Sequence, residues 1–294
     1  MEPDPALAAV KTYNYLRIAL AALVLLLFAS VAIEWASAGG CLQPSISAYY
    51  FTPARSVFVG VLVTMGVCLV ALKGSTDGED ALMNLAGMLA PGVAFVPTRP
   101  SGRCGSPASA TGVADAVANN MPALFLTGVV VGVVAVVVAR RESGGVPLST
   151  PDRLGLWLTV VVLGSGMVWF VVAPEAFREH GHAAAAIPMF LAIIAVVWLN
   201  ARDVQEAVRQ GSMPAERHRY VAMYRTIAVA MLAALAATVA TTLATRSTSL
   251  VLWVEVVLIA LFAVFWVVQT TELWNRGLRA RAPAPGARSG AHLS

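Results

Sequence analysis

The sequence predicts an all-α fold, a polytopic bundle of transmembrane helices, from three observations. The 294-residue chain is 58% hydrophobic and only 12% charged, with a mean hydropathy of +0.74, which is too apolar for a soluble domain. Its apolar residues are gathered into eight stretches that approach the length of about 20 residues needed to cross a bilayer core. Arg and Lys, finally, fall mostly on alternate connections between these stretches.

Each predicted span follows one apolar stretch, and two of the spans contain helix-weakening residues. Pro91-Gly92 lies in the third span and Gly164-Ser165-Gly166 in the fifth, where a kink could expose backbone carbonyls to a cavity. The first span also resembles a signal peptide ending at Ala36-Ser37-Ala38, and its cleavage would leave seven spans. The eight predicted spans lie near residues 15–35, 56–73, 81–98, 121–139, 154–174, 183–200, 226–245 and 250–272.

The basic residues predict that both termini are cytoplasmic. This orientation puts fifteen of the twenty Lys and Arg residues inside and five outside, as the positive-inside rule requires. The net charge of +4 therefore reflects topology and anionic lipid, and we expect no nucleic-acid partner. The five predicted outside are Arg55, Arg99, Arg103, Arg178 and Arg246.

The sequence predicts a membrane domain followed by a short tail. Residues 1–275 are predicted to form a single transmembrane domain, whose connection over 202–225 mixes charges at helical spacing and extends the sixth and seventh helices. Residues 276–294 are rich in Pro, Gly, Ala and Ser and are predicted to be a disordered cytoplasmic tail that carries no site. Eighteen Arg against two Lys, with abundant Ala and Val, is typical of a high-GC bacterial genome, which places the chain in the inner membrane.

Cys41 and Cys104 fall in the two longest outer loops, where an oxidising compartment favours a disulfide between them. Two free thiols are the alternative, because sequence gives no distance between the two Cα atoms. Cys68 lies inside the second span and is predicted to be a small buried hydrophobic residue.

Glu255 is the main candidate for a functional residue, since an ionisable group within a span is costly in lipid. Glu34 ends the first helix and Arg55 begins the second at the same membrane face. A structural ion pair of Arg55 with Glu34 or Glu255 is one interpretation, and a ligand or proton site is another. The outer segment 36–55 adds hydroxyl groups, and Ser47, Tyr49 and Tyr50 are its candidate ligand-binding residues.

A stripe of threonines follows one face of the seventh helix. Thr238, Thr241, Thr242 and Thr245 recur at i, i+3, i+4 and i+7. The stripe serves either tight helix packing or the polar wall of a cavity shared with Glu255.

Histidines give only a weak metal hypothesis. His180 and His182 flank Gly181 in a predicted outer loop, where they are the two imidazoles that could meet one metal ion. No nucleophile elbow, HExxH, Walker loop or GxGxxG motif is present, so an enzyme is the less favoured class and no cofactor is expected.

Several motifs resemble known membrane families. Ser45–Gly60, Asn84–Gly87 with Pro91, and Gln269–Trp274 are similar to an uncharacterised group of actinobacterial multi-pass membrane proteins. Pro44-Ser-Ile-Ser47 resembles the Pro-x-Ile-Ser element of DRAM- and FRAG-type proteins, which implies lipid membrane biology, although Ala48-Tyr49-Tyr50 replaces the usual Asp-Thr-Gly.

A comparison with the ceramidase and adiponectin-receptor-like hydrolases works against zinc chemistry, because no His lies inside a predicted span. At the end of the eighth helix, Trp274 is predicted to anchor at the interface and Glu272 to pair with Arg276.

These features predict a membrane protein with an outward-facing polar cavity that binds a lipid headgroup or small solute for transport or sensing. Two alternatives stay open: a membrane-embedded enzyme acting on a lipid substrate, and an accessory or scaffold subunit of a membrane complex. Membrane lipids are the expected partners, and the sequence identifies no protein partner.

Overall fold

The computed structural model describes residues 5–104, 111–142, 150–244, 248–275 and 278–279. Within these ranges the chain is helical, without β-strands, and each predicted span coincides with one long helix. Two short 3-10 helices, Ser47–Phe51 and Ala215–Arg217, lie in connections. The long helices are α1 Pro5–Ser37, α2 Arg55–Ala71, α3 Asp77–Phe95, α4 Val113–Glu142, α5 Thr150–Val172, α6 Pro174–Arg209, α7 His218–Ala244 and α8 Thr248–Leu273.

Six of these helices are long and apolar enough to cross a membrane, so the all-α fold is that of a multi-pass membrane protein. They are α1 and α4 to α8. Helix α2 has only 17 residues, and α3 begins with Asp77, Glu79 and Asp80, which lower its hydropathy. The eight-span count therefore stays a prediction at α2 and α3.

Local sequence explains where the helices begin and end. Thr76 caps α3 by accepting a hydrogen bond from the backbone N–H of Glu79, whose carboxylate in turn accepts from the N–H of Ser75. Helix α6 begins with Pro174 in its first turn and ends before Gly211, whose φ of +69° few other residues adopt. Its early start makes the predicted outer loop around His180 and His182 wrong, because that segment is helical.

Six helices close a ring. Helix α1 packs on α2, α2 on α3, α3 on α6, α6 on α7, α7 on α8, and α8 returns to α1. Helices α4 and α5 lie beside α3 and α6 with largely exposed apolar faces. We call the end of the bundle with Cys41 and Cys104 the disulfide end, and the end with the start of α1 and the close of α8 the basic end.

The tightest helix contact joins α2 to α3 through two glycines. A Cβ atom built on Gly66 would lie 2.7 Å from the carbonyl oxygen of Gly87, and one built on Gly87 would lie 2.7 Å from the carbonyl oxygen of Gly66. Pro91 has no N–H to donate to the Gly87 carbonyl four residues earlier, and its ring packs against the same point of α2. The pair therefore lets two backbones touch.

Substitution of Gly66 by Ala should destabilise the protein by about 1–3 kcal/mol, because the added methyl group meets backbone rather than a movable side chain. Gly60→Ala is the matched control on the same helix, since a Cβ there has nothing within 4 Å. Thermal unfolding in detergent measures both variants. Equal melting temperatures for the two would show that α2 and α3 do not approach as described.

Candidate binding cavity and buried polar cluster

The connection between α1 and α2 is fixed to the connection after α3. A disulfide joins Cys41 to Cys104 with Cα atoms 5.5 Å apart. Beside it, the buried Gln43 side chain donates to the carbonyl of Arg103 and accepts from the hydroxyl of Ser101. These links hold the hydroxyl-rich segment against the bundle rather than in solvent.

The segment after these links turns inward as a 3-10 helix. Ser47, Tyr49 and Tyr50 are all buried in it. The Ser45 hydroxyl accepts from the backbone N–H of Ala48 and lies 3.1 Å from the Ser47 hydroxyl, so the two serines stabilise the turn. The segment therefore forms a lid of the ring at the disulfide end.

Glu255 connects this lid to α8. Its Oε2 accepts a hydrogen bond from the backbone N–H of Ile46 at 2.6 Å. A carboxylate bonded to a backbone donor is a strong contact in an apolar setting. Glu255 thus both fixes the lid and faces the interior of the ring.

A cavity of about 100 Å³ lies inside the ring beneath the lid. Fifteen of its eighteen lining residues are apolar, from Phe58 and Met65 on α2 to Phe262 on α8. The three polar residues, Ser47, His182 and Glu255, come from segments at the disulfide end. The cavity therefore has an apolar body and one polar end.

His182 contributes an imidazole to this polar end. Its Nδ1 lies 2.8 Å from the carbonyl oxygen of Val96, which can only accept, so Nδ1 carries the hydrogen and donates. His182 lies one residue before the predicted sixth span, and the structure places it within α6, on the cavity wall.

Of the nine residues proposed as ligand-binding, only Ser47 and Glu255 line the cavity. Arg55 does not pair with Glu34 or Glu255. Its guanidinium lies over the Tyr50 ring, 4.2 Å from the centroid, and donates to the Tyr50 hydroxyl.

Tyr49 and Glu34 lie near each other on the other side of the lid. Burial raises the pKa of the Tyr49 phenol, and the nearby negative charge of Glu34 raises it further, against the effect of a backbone hydrogen bond at Gln43. Neither residue lines the cavity, so the two residues are not part of its polar end.

The threonine stripe bonds to its own helix. The hydroxyls of Thr238, Thr241 and Thr242 donate to the carbonyls of Ala234, Ala237 and Thr238 respectively. Thr242 is exposed, and none of the three faces the cavity. Thr245 lies outside the described residues.

The two histidines do not meet at one metal site. His180 is exposed, with its Nε2 4.0 Å from a carboxylate oxygen of Glu179, while His182 is turned toward Val96. Across the described residues, no three His, Cys, Asp or Glu side chains are grouped as metal ligands.

A second polar site lies at the basic end and is a network of buried side chains. Five ring helices and the segment after α8 contribute to it. Its centre is Asn200, whose amide donates to Glu79 and whose Oδ1 accepts from Gln269 at 2.8 Å. We call this set the basic-end cluster: Arg17, Glu79, Asn200, Tyr224, Gln269, Glu272 and Arg279.

The charges of this cluster are balanced. Arg17 Nε donates to Gln269, and Gln269 donates to Glu79. Glu272 takes two hydrogen bonds from Arg279 and one from Tyr224. Two arginines and two glutamates are thus held together, as buried charges require.

The Glu272 carboxylate has a partner that the sequence did not predict. Arg276 lies outside the described residues, and Arg279 is bound to the Glu272 carboxylate. The stretch from 276 onward was expected to carry no site, yet Arg279 is buried against residues of α6, α7 and α8 and against Ser75. Helical spacing could not predict this contact, because Arg279 lies outside any helix.

Sequence reasoning missed the cluster although one signal was present. Arg17, Asn200 and Gln269 lie within apolar stretches, and the rule that singled out Glu255 applies equally to them. Arg17 entered the prediction only as a basic residue of the topology pattern and Gln269 only as part of the Gln269–Trp274 motif, while Asn200 entered no prediction.

Comparison with known proteins gives no relative for either site. No protein-family model, curated protein or solved structure matches the chain.

Removal of the disulfide by the double substitution Cys41→Ser and Cys104→Ser should destabilise the protein by about 2–4 kcal/mol, because a long loop is freed in the unfolded state. Thiol titration of the denatured wild type should find one reactive cysteine before reduction and three after it. Reductant should lower the melting temperature of the wild type and leave the double variant unchanged. Three reactive thiols before reduction would contradict the disulfide.

Replacement of Glu255 by Met should release the lid, because the Ile46 N–H loses its acceptor, at a cost of about 1–3 kcal/mol. Glu255→Gln is the control, since its amide oxygen can still accept. Hydrogen–deuterium exchange should be faster over residues 46–51 in the Met variant and near normal in the Gln variant. Unchanged exchange over this segment in both variants would contradict the assignment of Glu255 as the acceptor that holds the lid.

Proposed function

We propose that this protein is a bacterial inner-membrane protein that binds a small amphiphilic molecule of the lipid class in the ring cavity, for transport or sensing. The observation that carries the proposal is the cavity itself, with its apolar body and a polar end made of Ser47, His182 and Glu255. Ligand sites generally combine an apolar wall with a few convergent polar groups. The charge distribution supports a cytoplasmic basic end and an outward-facing disulfide end.

The volume of the cavity limits the size of the ligand. A cavity of about 100 Å³ is smaller than sites for drug-sized molecules and suits a short hydrocarbon segment. The carboxylate of Glu255 at the polar end favours a ligand that carries a hydrogen-bond donor or a positive charge. A primary amine or an alcohol on an alkyl chain has this form.

The hydrogen bonds at the polar end favour binding over catalysis. Ser47 is bonded to Ser45, His182 to Val96 and Glu255 to Ile46. A nucleophile needs a base within hydrogen-bond reach, and none of the three is bonded to another. The enzyme alternative therefore has residue types in its favour but no activated pair.

Blocking the cavity should abolish binding. Ala186→Phe adds a ring to a residue of the cavity wall, while Ala184→Phe adds the same ring to an exposed position of the same helix. Pentylamine, pentanol and pentanoate, added to protein in nanodiscs, are the probes, and the shift in melting temperature is the readout.

We expect pentylamine to raise the melting temperature of wild type and Ala184→Phe, and to have little effect on Ala186→Phe. Pentanoate should stabilise least, because Glu255 repels a carboxylate. Equal shifts in all three proteins would mean that the probes act through the membrane, and the cavity proposal would fail.

A further inference from the structure

Arg279 is a buried arginine outside any helix. It follows the last residue of α8 by six positions, and its side chain is only 5% exposed. Its backbone N–H donates to the hydroxyl of Ser75. The side chain therefore enters the bundle from the basic end and is enclosed there.

Each nitrogen of the Arg279 guanidinium donates a hydrogen bond to the protein. Nε donates to Oε1 of Glu272 at 2.9 Å and Nη2 to Oε2, which is the two-pronged geometry that a carboxylate offers to a guanidinium. Nη1 donates to Oδ1 of Asn200 at 2.7 Å. The ring of Tyr224 covers one face, with the guanidinium carbon 5.8 Å from its centroid.

The groups that receive Arg279 are held in place by other helices. The Tyr224 hydroxyl donates to Glu272, and Arg217 donates to the Glu272 carbonyl. Asn200 is fixed by Glu79 and by its own helix at the Val196 carbonyl. The receiving side is thus organised by α3, α6, α7 and α8 without help from the segment that carries Arg279.

The charges of the receiving side require a cation. Without Arg279, the carboxylates of Glu79 and Glu272 would face only Arg17 within the cluster. Asp203 is also close enough to interact with Arg279, and its Oδ2 is buried. Burial alone would lower the pKa of Arg279, but its hydrogen bonds to Glu272 and the charge of that carboxylate outweigh burial and raise the pKa.

We infer that the basic end contains a binding site for a guanidinium group, built by Glu272, Asn200 and Tyr224, which Arg279 fills from within the same chain. The planar fork distinguishes a guanidinium from an ammonium, which cannot bond two carboxylate oxygens and an amide in one plane. When Arg279 is absent, the site accepts a free guanidinium compound. The inference does not depend on the ligand of the ring cavity, which lies on the other side of Trp266.

Chemical rescue tests the site. Arg279→Ala should lower the melting temperature, because it leaves a buried carboxylate uncompensated. Ethylguanidinium at millimolar concentration should recover most of the loss, and ethylammonium at the same concentration should recover little. Wild type should not respond, because its site is filled, and Arg209→Ala, an exposed arginine at the same end, should behave as wild type.

Two further variants keep the test decisive. Arg279→Gln can still donate to Glu272 and replaces the Ala variant if that protein does not fold. The double variant Glu272→Gln, Arg279→Ala removes both charges and should show no rescue, since the two-pronged acceptor is lost. The proposal is overturned if both cations rescue the Arg279 variant equally, if they stabilise wild type equally, or if the double variant is still rescued. It is also overturned if a folded Arg279 variant shows no rescue.

Discussion

The requirement that charge inside an apolar bundle be paired shapes the basic end of this protein. Arg17, Glu79, Glu272 and Arg279 are each nearly inaccessible to solvent. An unpaired charge there would cost several kcal/mol, so each must meet an opposite charge or a hydrogen-bonding group. Asn200 and Gln269 link the Glu272–Arg279 ion pair to Glu79 and Arg17, and five helices are thereby held at one level.

The disulfide end satisfies the same requirement in another way. Glu255, the carboxylate that lines the cavity, accepts a hydrogen bond from the backbone of the lid, and no ion pair to it is found among the described residues. The lid in turn is fixed by the disulfide and by Gln43. A carboxylate held by one backbone donor keeps capacity to accept further hydrogen bonds, whereas the carboxylate of Glu272 already accepts three, from Arg279 and Tyr224. This difference is why the cavity, rather than the basic-end cluster, is the candidate ligand site in the intact chain.

The sequence was sufficient for the helices because apolar length is a local property. Each of the eight predicted spans coincides with a helix, and the longer bounds of α6 follow from Pro174 at its start and the charged turns at its end. The same reasoning identified Glu255, a carboxylate within an apolar stretch, and the hydroxyl-rich segment that contains Ser47. It did not find Tyr50 as the partner of Arg55 or Arg279 as a partner of Glu272.

These contacts depend on which helix packs against which neighbour, and that information is not local in the sequence. The threonine stripe has perfect helical spacing, yet α7 contributes no residue to the cavity wall. His182 and Arg279 carried no periodic signal, but the closure of the ring brings the first to the cavity and the second to the cluster. A periodic pattern shows that residues share a face, and only packing shows what that face meets.

Between the two polar sites lies a layer that contains no polar contact to either of them. Trp266 and Phe265 on α8, Val197 on α6 and Leu20 on α1 are all almost completely buried there. Phe262 borders the cavity and Gln269 belongs to the cluster, seven residues or roughly 10 Å further along the helix. Passage of a solute from the cavity to the basic end would have to move this apolar layer and break the Glu272–Arg279 pair. The structure is therefore closed at the basic end twice, once by packing and once by charge, so a transport function requires a second conformation while a sensing function does not.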